Sequence, residues 1–204
     1  VWRRLEESLV RRVPRLELRR VLGAYAGLVR DRRFRDHVRA SGLAFSGMFA
    51  YIAGSPFVFI DLYGVSAQNY GWLFGFNAAG FILTAQLNGW LLRHHGPGYW
   101  LQRTIWVYLS AAVVMLVVAL AQPKALWPLM IPLFICIASL SCILPNASAC
   151  AMAGQGGQAG SASALIGSLQ FIVAAVAAGM VGVLHDGTAR PMALIICVCG
   201  AVTV

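Results

Sequence analysis

The sequence predicts an all-α, polytopic helical membrane protein, and three observations carry that prediction. Five apolar stretches of about twenty residues or more follow residue 38, and a helix needs about 20 apolar residues to cross a bilayer. The hydrophobic share is 59% against 11% charged residues, and the mean hydropathy is +0.73, far from soluble globular usage. The charges are also segregated: of 16 Lys and Arg, twelve precede residue 41.

Residues 1–38 come first. Leu16, Leu18, Val21, Leu22, Tyr25, Leu28 and Val29 recur at near-helical spacing among arginines, which predicts an amphipathic helix lying on the membrane surface. Pro14 is expected to break it from what precedes. The segment is too long and too charged for a signal peptide, and Glu6, Glu7, Glu17, Asp31 and Asp36 argue against a transit peptide. The net charge of +9 sits beside membrane spans, so anionic lipid headgroups are its expected partner and nucleic acid is not.

Spans are expected over about 38–60, 70–92, 101–121, 126–152 and 160–184, with a sixth that starts at Pro191 and is cut short at Val204. Short loops make successive spans antiparallel neighbours. The lack of a starting Met and the unfinished sixth stretch predict a piece of a larger protein. With the basic flank inside, Arg93 and Arg103 return to the same side, whereas Lys124 and Arg190 lie opposite. Fourteen basic residues against two set the orientation, with residues 1–38 cytoplasmic.

Polar residues within the spans form stripes. Positions i, i+3/i+4 and i+7 share a helix face. Asn77, Phe81, Thr84 and Asn88 make one such stripe in the second span, with Gly71, Gly75 and Gln86 opposite. The Gly71/Gly75 pair predicts close helix contact. The fourth span carries Ser139, Cys142, Asn146 and Cys150, the fifth Ser163, Gly167, Gln170 and Ala174, and the first Ala44, Met48, Tyr51 and Ser55. Such residues either bond between helices or line a water-filled cavity. The third span is almost pure Val, Leu and Ala between Val107 and Leu120 and is expected to face lipid.

Pro56 and Pro145 are expected to interrupt the first and fourth spans. These are the leading members of successive three-helix groups, and interrupted helices in matched positions point to inverted repeats with a site between them. A simple packing kink is the other reading of either proline.

Several chemistries are disfavoured. The five cysteines all fall in apolar segments without zinc-site spacing, and they read as core fillers. No metal site or cofactor is expected, and His94 and His95 read as headgroup contacts. No Asp, Glu, His or Lys lies mid-span, so an intramembrane enzyme lacks its constellation and a proton carrier is not visible.

The loop after the second span reads Gly89-Trp-Leu-Leu-Arg93-His94-His95-Gly96-Pro97. It resembles the degenerate second copy of the major facilitator loop motif G-x-L-a-D-r-x-G-r-k: Gly89, Leu91 and Gly96 match, and Arg93 replaces the acid. The strings FAYIAGSPFVFIDLYGVSAQNYGWLFGFNAAG (49–80), LPNASA (144–149), AGSASALIGSLQF (159–171) and LHDGTARPMA (184–193) resemble the C-terminal half of the Bcr/CflA drug-resistance branch of that superfamily. RDRRF (30–34) resembles the end of its central cytoplasmic loop.

The resemblance implies the C-terminal six-helix bundle of the major facilitator fold, with its last helix truncated. Residues 1–38 would be the central loop, and 39–204 a bundle of five full spans plus a partial sixth. It implies a proton-coupled efflux pump of the inner membrane for lipophilic drugs such as chloramphenicol or bicyclomycin, with its coupling acids in an absent N-terminal six-helix half. The helices carrying polar stripes would face the central cavity. Met48, Tyr51 and Phe81 are then expected to offer apolar and aromatic surface to the cargo, and Asn77, Ser139, Asn146 and Gln170 a few hydrogen bonds. Uptake of a small metabolite within the same fold, or a non-catalytic membrane scaffold, are the alternatives.

Overall fold

The computed structural model describes residues 18–204, and all regular structure among them is helical. The expected break at Pro14 and residues 1–17 of the basic flank lie outside the described residues. Seven helices follow: α1 (Leu18–Arg30), α2 (Arg32–Pro56), α3 (Ala67–Leu91), α4 (Pro97–Ala121), α5 (Trp127–Met152), α6 (Ala159–Val183) and α7 (Arg190–Thr203).

Local chemistry sets most of the boundaries. Asp31 has extended backbone and accepts hydrogen bonds from the Arg33 and Phe34 amides, so it ends α1 and caps α2. Its other carboxylate oxygen accepts from Gln155 Nε2 at 2.9 Å, tying this turn to the loop after α5. The Ser66 hydroxyl caps α3 by accepting from the Asn69 amide. Proline stands in the first turn of α4, α5 and α7, where its missing N–H costs nothing. Gln122, at φ 47°, ends α4 in the left-handed region just before Pro123.

The first span begins earlier than hydropathy predicts. α2 starts at Arg32, and its first turns are held by the Asp31 cap and by burial of Phe34 and Val38. At Pro56 the α-helix gives way to a π-helical segment, Phe57–Leu62, which completes a 31-residue continuous rod. Pro145 behaves differently, and the expected interruption is corrected there. α5 runs through both Pro132 and Pro145 without a break to Met152, because neighbouring helices support a proline-bearing span.

Four helical stretches are long and apolar enough to cross a membrane: 32–62, 97–121, 127–152 and 156–183. α3 has the length, about 37 Å for 25 residues, but its amides lower its apolarity. α7 spans 14 residues, about 21 Å.

α2 and α5 are the hubs. α2 packs on α5, α6 and α7, α5 packs on α2, α3 and α4, and α4 meets α7. Exchanging α2 with α5, α3 with α6 and α4 with α7 maps these principal contacts onto themselves. That is the packing expected of two three-helix units in inverted orientation. Leu129, Leu133, Cys136, Leu140 and Ile143 of α5 bury completely against Ala44 and Ala50 of α2 and Tyr108 and Met115 of α4.

α4 is not featureless. Leu101, Ile105, Tyr108, Ala112, Met115 and Ala119 form a buried stripe at alternating spacings of three and four, while Trp106, Val113, Val114, Val117 and Leu120 face outward. Across the bundle the exposed faces are themselves apolar, from Trp72, 77% exposed, to Phe171 and Val183. A surface of that kind suits lipid rather than water.

Close contacts fall at glycines other than the expected pair. Nothing lies near a side chain added at Gly71 or Gly75, whereas Gly80 sits directly against the Phe134 ring of α5. α1 docks on the bundle: Leu28 is buried in a satellite core with Phe34, Val38, Ala151, Ala162 and Ile166, while Leu22 and Val29 remain exposed. It therefore uses one edge of its apolar face on the protein and leaves the rest open.

The α6–α7 turn yields a pH prediction. Asp186 accepts from the Thr188 hydroxyl at 2.6 Å and the Thr188 amide at 2.9 Å. The Thr188 hydroxyl first, then the amide and the nearby Arg190 charge, hold its carboxyl below the usual range. A depressed carboxylate adds stability above its unfolded value, and that contribution is lost as pH falls through the folded value. Melting temperature between about pH 5 and 3 should fall less steeply in Asp186→Asn than in the wild type. Parallel curves would count against the turn.

Candidate functional site

One groove collects polar and aromatic side chains from three helices. Met48, Tyr51 and Ile52 of α2, Phe74, Asn77, Ala78, Phe81 and Ile82 of α3, and Ile137 of α5 enclose about 350 Å³. Position follows from periodicity. Met48, Tyr51 and Ile52 lie within one turn, and Phe74, Asn77, Ala78 and Phe81 lie within two, so each set shares a face.

A polar pair is buried behind the apolar surface of the groove. Asn77 is 1% exposed, and its Nδ2 donates to the Tyr51 hydroxyl at 3.2 Å. The Asn77 Oδ1 is buried without a partner. Tyr51 stacks on Phe74 at 5.6 Å with the rings nearly parallel, and Phe74 in turn contacts Tyr70. The Tyr70 hydroxyl and the Ser55 hydroxyl lie 3.0 Å apart. Hydroxyl, amide and aromatic groups thus alternate along the α2–α3 boundary. Among the described residues, no charged side chain lines the groove.

Four of the seven expected cavity residues meet here: Met48, Tyr51, Asn77 and Phe81. The other three are placed elsewhere. The Ser139 hydroxyl turns back to the Ile135 carbonyl of its own helix at 2.7 Å, a common way for a span to satisfy a hydroxyl. Asn146 is buried and exchanges hydrogen bonds with Asn88, donating at 2.9 Å and accepting at 3.4 Å. It joins α5 to α3 and does not open on the groove. Gln170 is half-buried on α6, outside the groove lining. Ile52, Phe74, Ala78, Ile82 and Ile137 are the lining residues that the polar stripes passed over. Phe74 stands three residues before Asn77 and seven before Phe81, so the same spacing rule reaches it.

The loop motif occupies the α3–α4 turn. Gly89 lies in the last turn of α3, Arg93 is exposed, and Gly96 is the residue before Pro97 that opens α4. His95 stacks on Tyr99 at 4.2 Å, and the Arg103 guanidinium lies 3.8 Å over the same ring. The Trp100 indole donates to the Leu91 carbonyl at 3.1 Å. These contacts tie the turn together, and Arg93 and Arg103 make it basic. Among the described residues, no three His, Cys, Asp or Glu gather as they would to hold a metal ion.

A second groove, of about 450 Å³, opens beside the last turn of α7 between α1, α2 and α6. Its walls are Phe34, Val38, Leu43, Leu169 and Val202 with exposed Arg35 and Arg39 at the rim, and it contains no buried polar side chain. Of these two grooves, the first combines apolar walls with buried hydrogen-bonding groups, the usual make-up of a small-molecule site.

No protein-family model matches the chain. It is similar to the uncharacterized MFS-type transporter YdgK of Bacillus subtilis, at 33% identity over 172 residues, or 82% of this chain and 41% of that protein. It is also similar to a bicyclomycin resistance protein homolog of Haemophilus influenzae, at 26% identity over 193 residues, or 95% of this chain and 48% of that protein. The chain spans about half the length of these curated relatives.

Proposed function

Because the chain belongs to the major facilitator superfamily of membrane transporters, we propose that it forms the C-terminal half of a proton-coupled multidrug efflux transporter of the inner membrane. The cargo is lipophilic, of the chloramphenicol or bicyclomycin type, and crosses by alternating access as two six-helix halves rock about a midplane site. The observation that carries this reading is the α2–α3–α5 groove: apolar and aromatic walls around one amide–phenol pair, with no charged lining residue.

Met48, Tyr51, Phe81 and Asn77 contact the cargo. Gln170, on α6, faces the same central space once the N-terminal half closes it. The protons are carried by acids of that other half, since after residue 40 this chain's carboxylates are Asp61 and Asp186, both at the ends of spans and neither at mid-depth. The basic residues 1–38 and the Arg93 turn lie on the cytoplasmic side against anionic lipid.

The test uses the full-length transporter that contains this chain, expressed in a drug-sensitive host. Ala78→Trp fills the groove without replacing either member of the amide–phenol pair. Tolerance to chloramphenicol and bicyclomycin should fall to the level of cells without the transporter, at unchanged membrane abundance. A protonophore should abolish export by the unaltered protein. Undiminished tolerance in Ala78→Trp would overturn the site, and export that survives the protonophore would overturn the coupling.

A further inference from the structure

We propose that the second groove is a discrete site for one anionic phospholipid, with an acyl chain between α1, α2, α6 and α7 and the phosphate held by Arg35 and Arg39. The inference goes beyond the transport reading and does not depend on the cargo of the first groove. It needs only that the bundle sits in a bilayer.

The walls fit an acyl chain. Val38 and Leu43 of α2, Leu169 and Val173 of α6 and Val202 of α7 bound a space of about 450 Å³. It is open to the surroundings: Val29 and Val202 on its flanks are 48% and 49% exposed. From Arg35 to Leu43 it follows α2 for about 12 Å. Such walls alone do not hold one lipid over another, because lipid tails are as apolar as the walls.

The two arginines supply the preference. Arg35 and Arg39 are exposed and lie side by side on one face of α2, four residues apart. The acids nearest them in sequence are engaged elsewhere: Asp31 caps α2 and accepts from Gln155, and Asp36 pairs with Arg32 at 3.8 Å. Among the described residues neither Arg35 nor Arg39 has an acidic partner. Guanidinium groups grip phosphate through paired N–H donors, and basic pockets between membrane helices suit anionic headgroups. α7 borders the groove and does not cover it. Met192 lies against Gly54 and Cys199 against Gly47, so α7 follows that line down α2. Arg35, Arg39 and Gly42 stand about a third of a turn around α2 from it.

The test uses the full-length transporter that contains this chain, in phosphatidylcholine vesicles doped with a phosphatidylglycerol that carries a photoreactive diazirine on its acyl chain. A phosphatidylcholine with the same diazirine chain is the neutral control, and labelled peptides are mapped by mass spectrometry. In the wild type, Leu43, Leu169 and Val173 should be labelled at least about 5-fold more by phosphatidylglycerol, the effect of one arginine near an anionic surface. Unlabelled phosphatidylglycerol should compete, and glycerol 3-phosphate should not. Arg35→Gln with Arg39→Gln should be labelled alike by both lipids. Gly42→Leu should lose the label with both, since a side chain there enters open space and fills the groove. Melting temperature is recorded for each variant, and Gly42→Leu carries the test should the double glutamine variant fail to fold. A preference that survives both glutamines, or labelling that survives Gly42→Leu, would overturn the site. Competition by glycerol 3-phosphate would replace the lipid with a soluble phosphate and overturn it too. An unlabelled groove in the wild type would show that another part of the transporter fills it, and would equally overturn the proposal.

Discussion

Gly47→Ala is expected to lower the stability of the bundle by about 2 kcal/mol, and adding Tyr108→Phe is expected to abolish nearly all of that loss. Tyr108 of α4 is wholly buried and inserts between Gly47 of α2 and Gly200 of α7. A methyl group at position 47 would collide with the Tyr108 hydroxyl, but the ring carbon behind it is 3.4 Å away, an ordinary contact distance. Removing the hydroxyl therefore makes room. That hydroxyl has no hydrogen-bond partner, so Tyr108→Phe alone should be neutral or stabilising by about 1 kcal/mol. Melting in detergent across the four proteins of the cycle measures the coupling. Strict additivity would show that the glycine serves something other than this contact.

The second large effect belongs to the amide pair between α3 and α5. Asn146→Leu removes both hydrogen bonds from Asn88, which is 4% exposed and held against α5. The expected cost is about 1–2 kcal/mol, the upper part of the range for polar contacts between membrane helices. Asn88→Leu should cost a similar amount. The double replacement should recover most of it, because an apolar pair leaves no stranded amide. If the double variant is as unstable as the sum of the singles, the pair is not a unit.

These two contacts mark the limit of what the sequence discloses. Hydropathy locates spans because lipid rewards apolar runs, and the loops between spans follow. It misplaces the start of α2 because Arg32, Arg33 and Arg35 are charged, while the helix there depends on the Asp31 cap and the burial of Phe34. Periodicity gives the face of a polar residue but not its partner. Asn77, Asn88 and Asn146 all turn inward as the stripes predict, yet only Asn77 borders the groove, because the other two satisfy each other. Ser139 is lost to view for a related reason: a hydroxyl can reach its own backbone, and spacing does not register that choice. Pro145 looks like a break in one dimension, and the packed neighbours of α5 carry the helix past it. The glycines show the same gap. Gly47, Gly80 and Gly200 are contact points because of Tyr108 and Phe134, residues remote in sequence, whereas the regular Gly71/Gly75 spacing meets nothing within the chain.

The stretches 40–60, 70–92, 104–121, 125–184 and 191–204 contain no Asp, Glu, Lys or Arg. A transmembrane voltage does work only on charge displaced along the field, about 2.3 kcal/mol per elementary charge for each 100 mV. When these stretches tilt or slide, they themselves carry no formal charge through that drop; the charges of their helices, from Arg32 to Arg39, Asp61, Arg103 and Arg190, stand at the ends. Any response of this part of the molecule to the membrane potential therefore falls to the few charges at the ends of its helices.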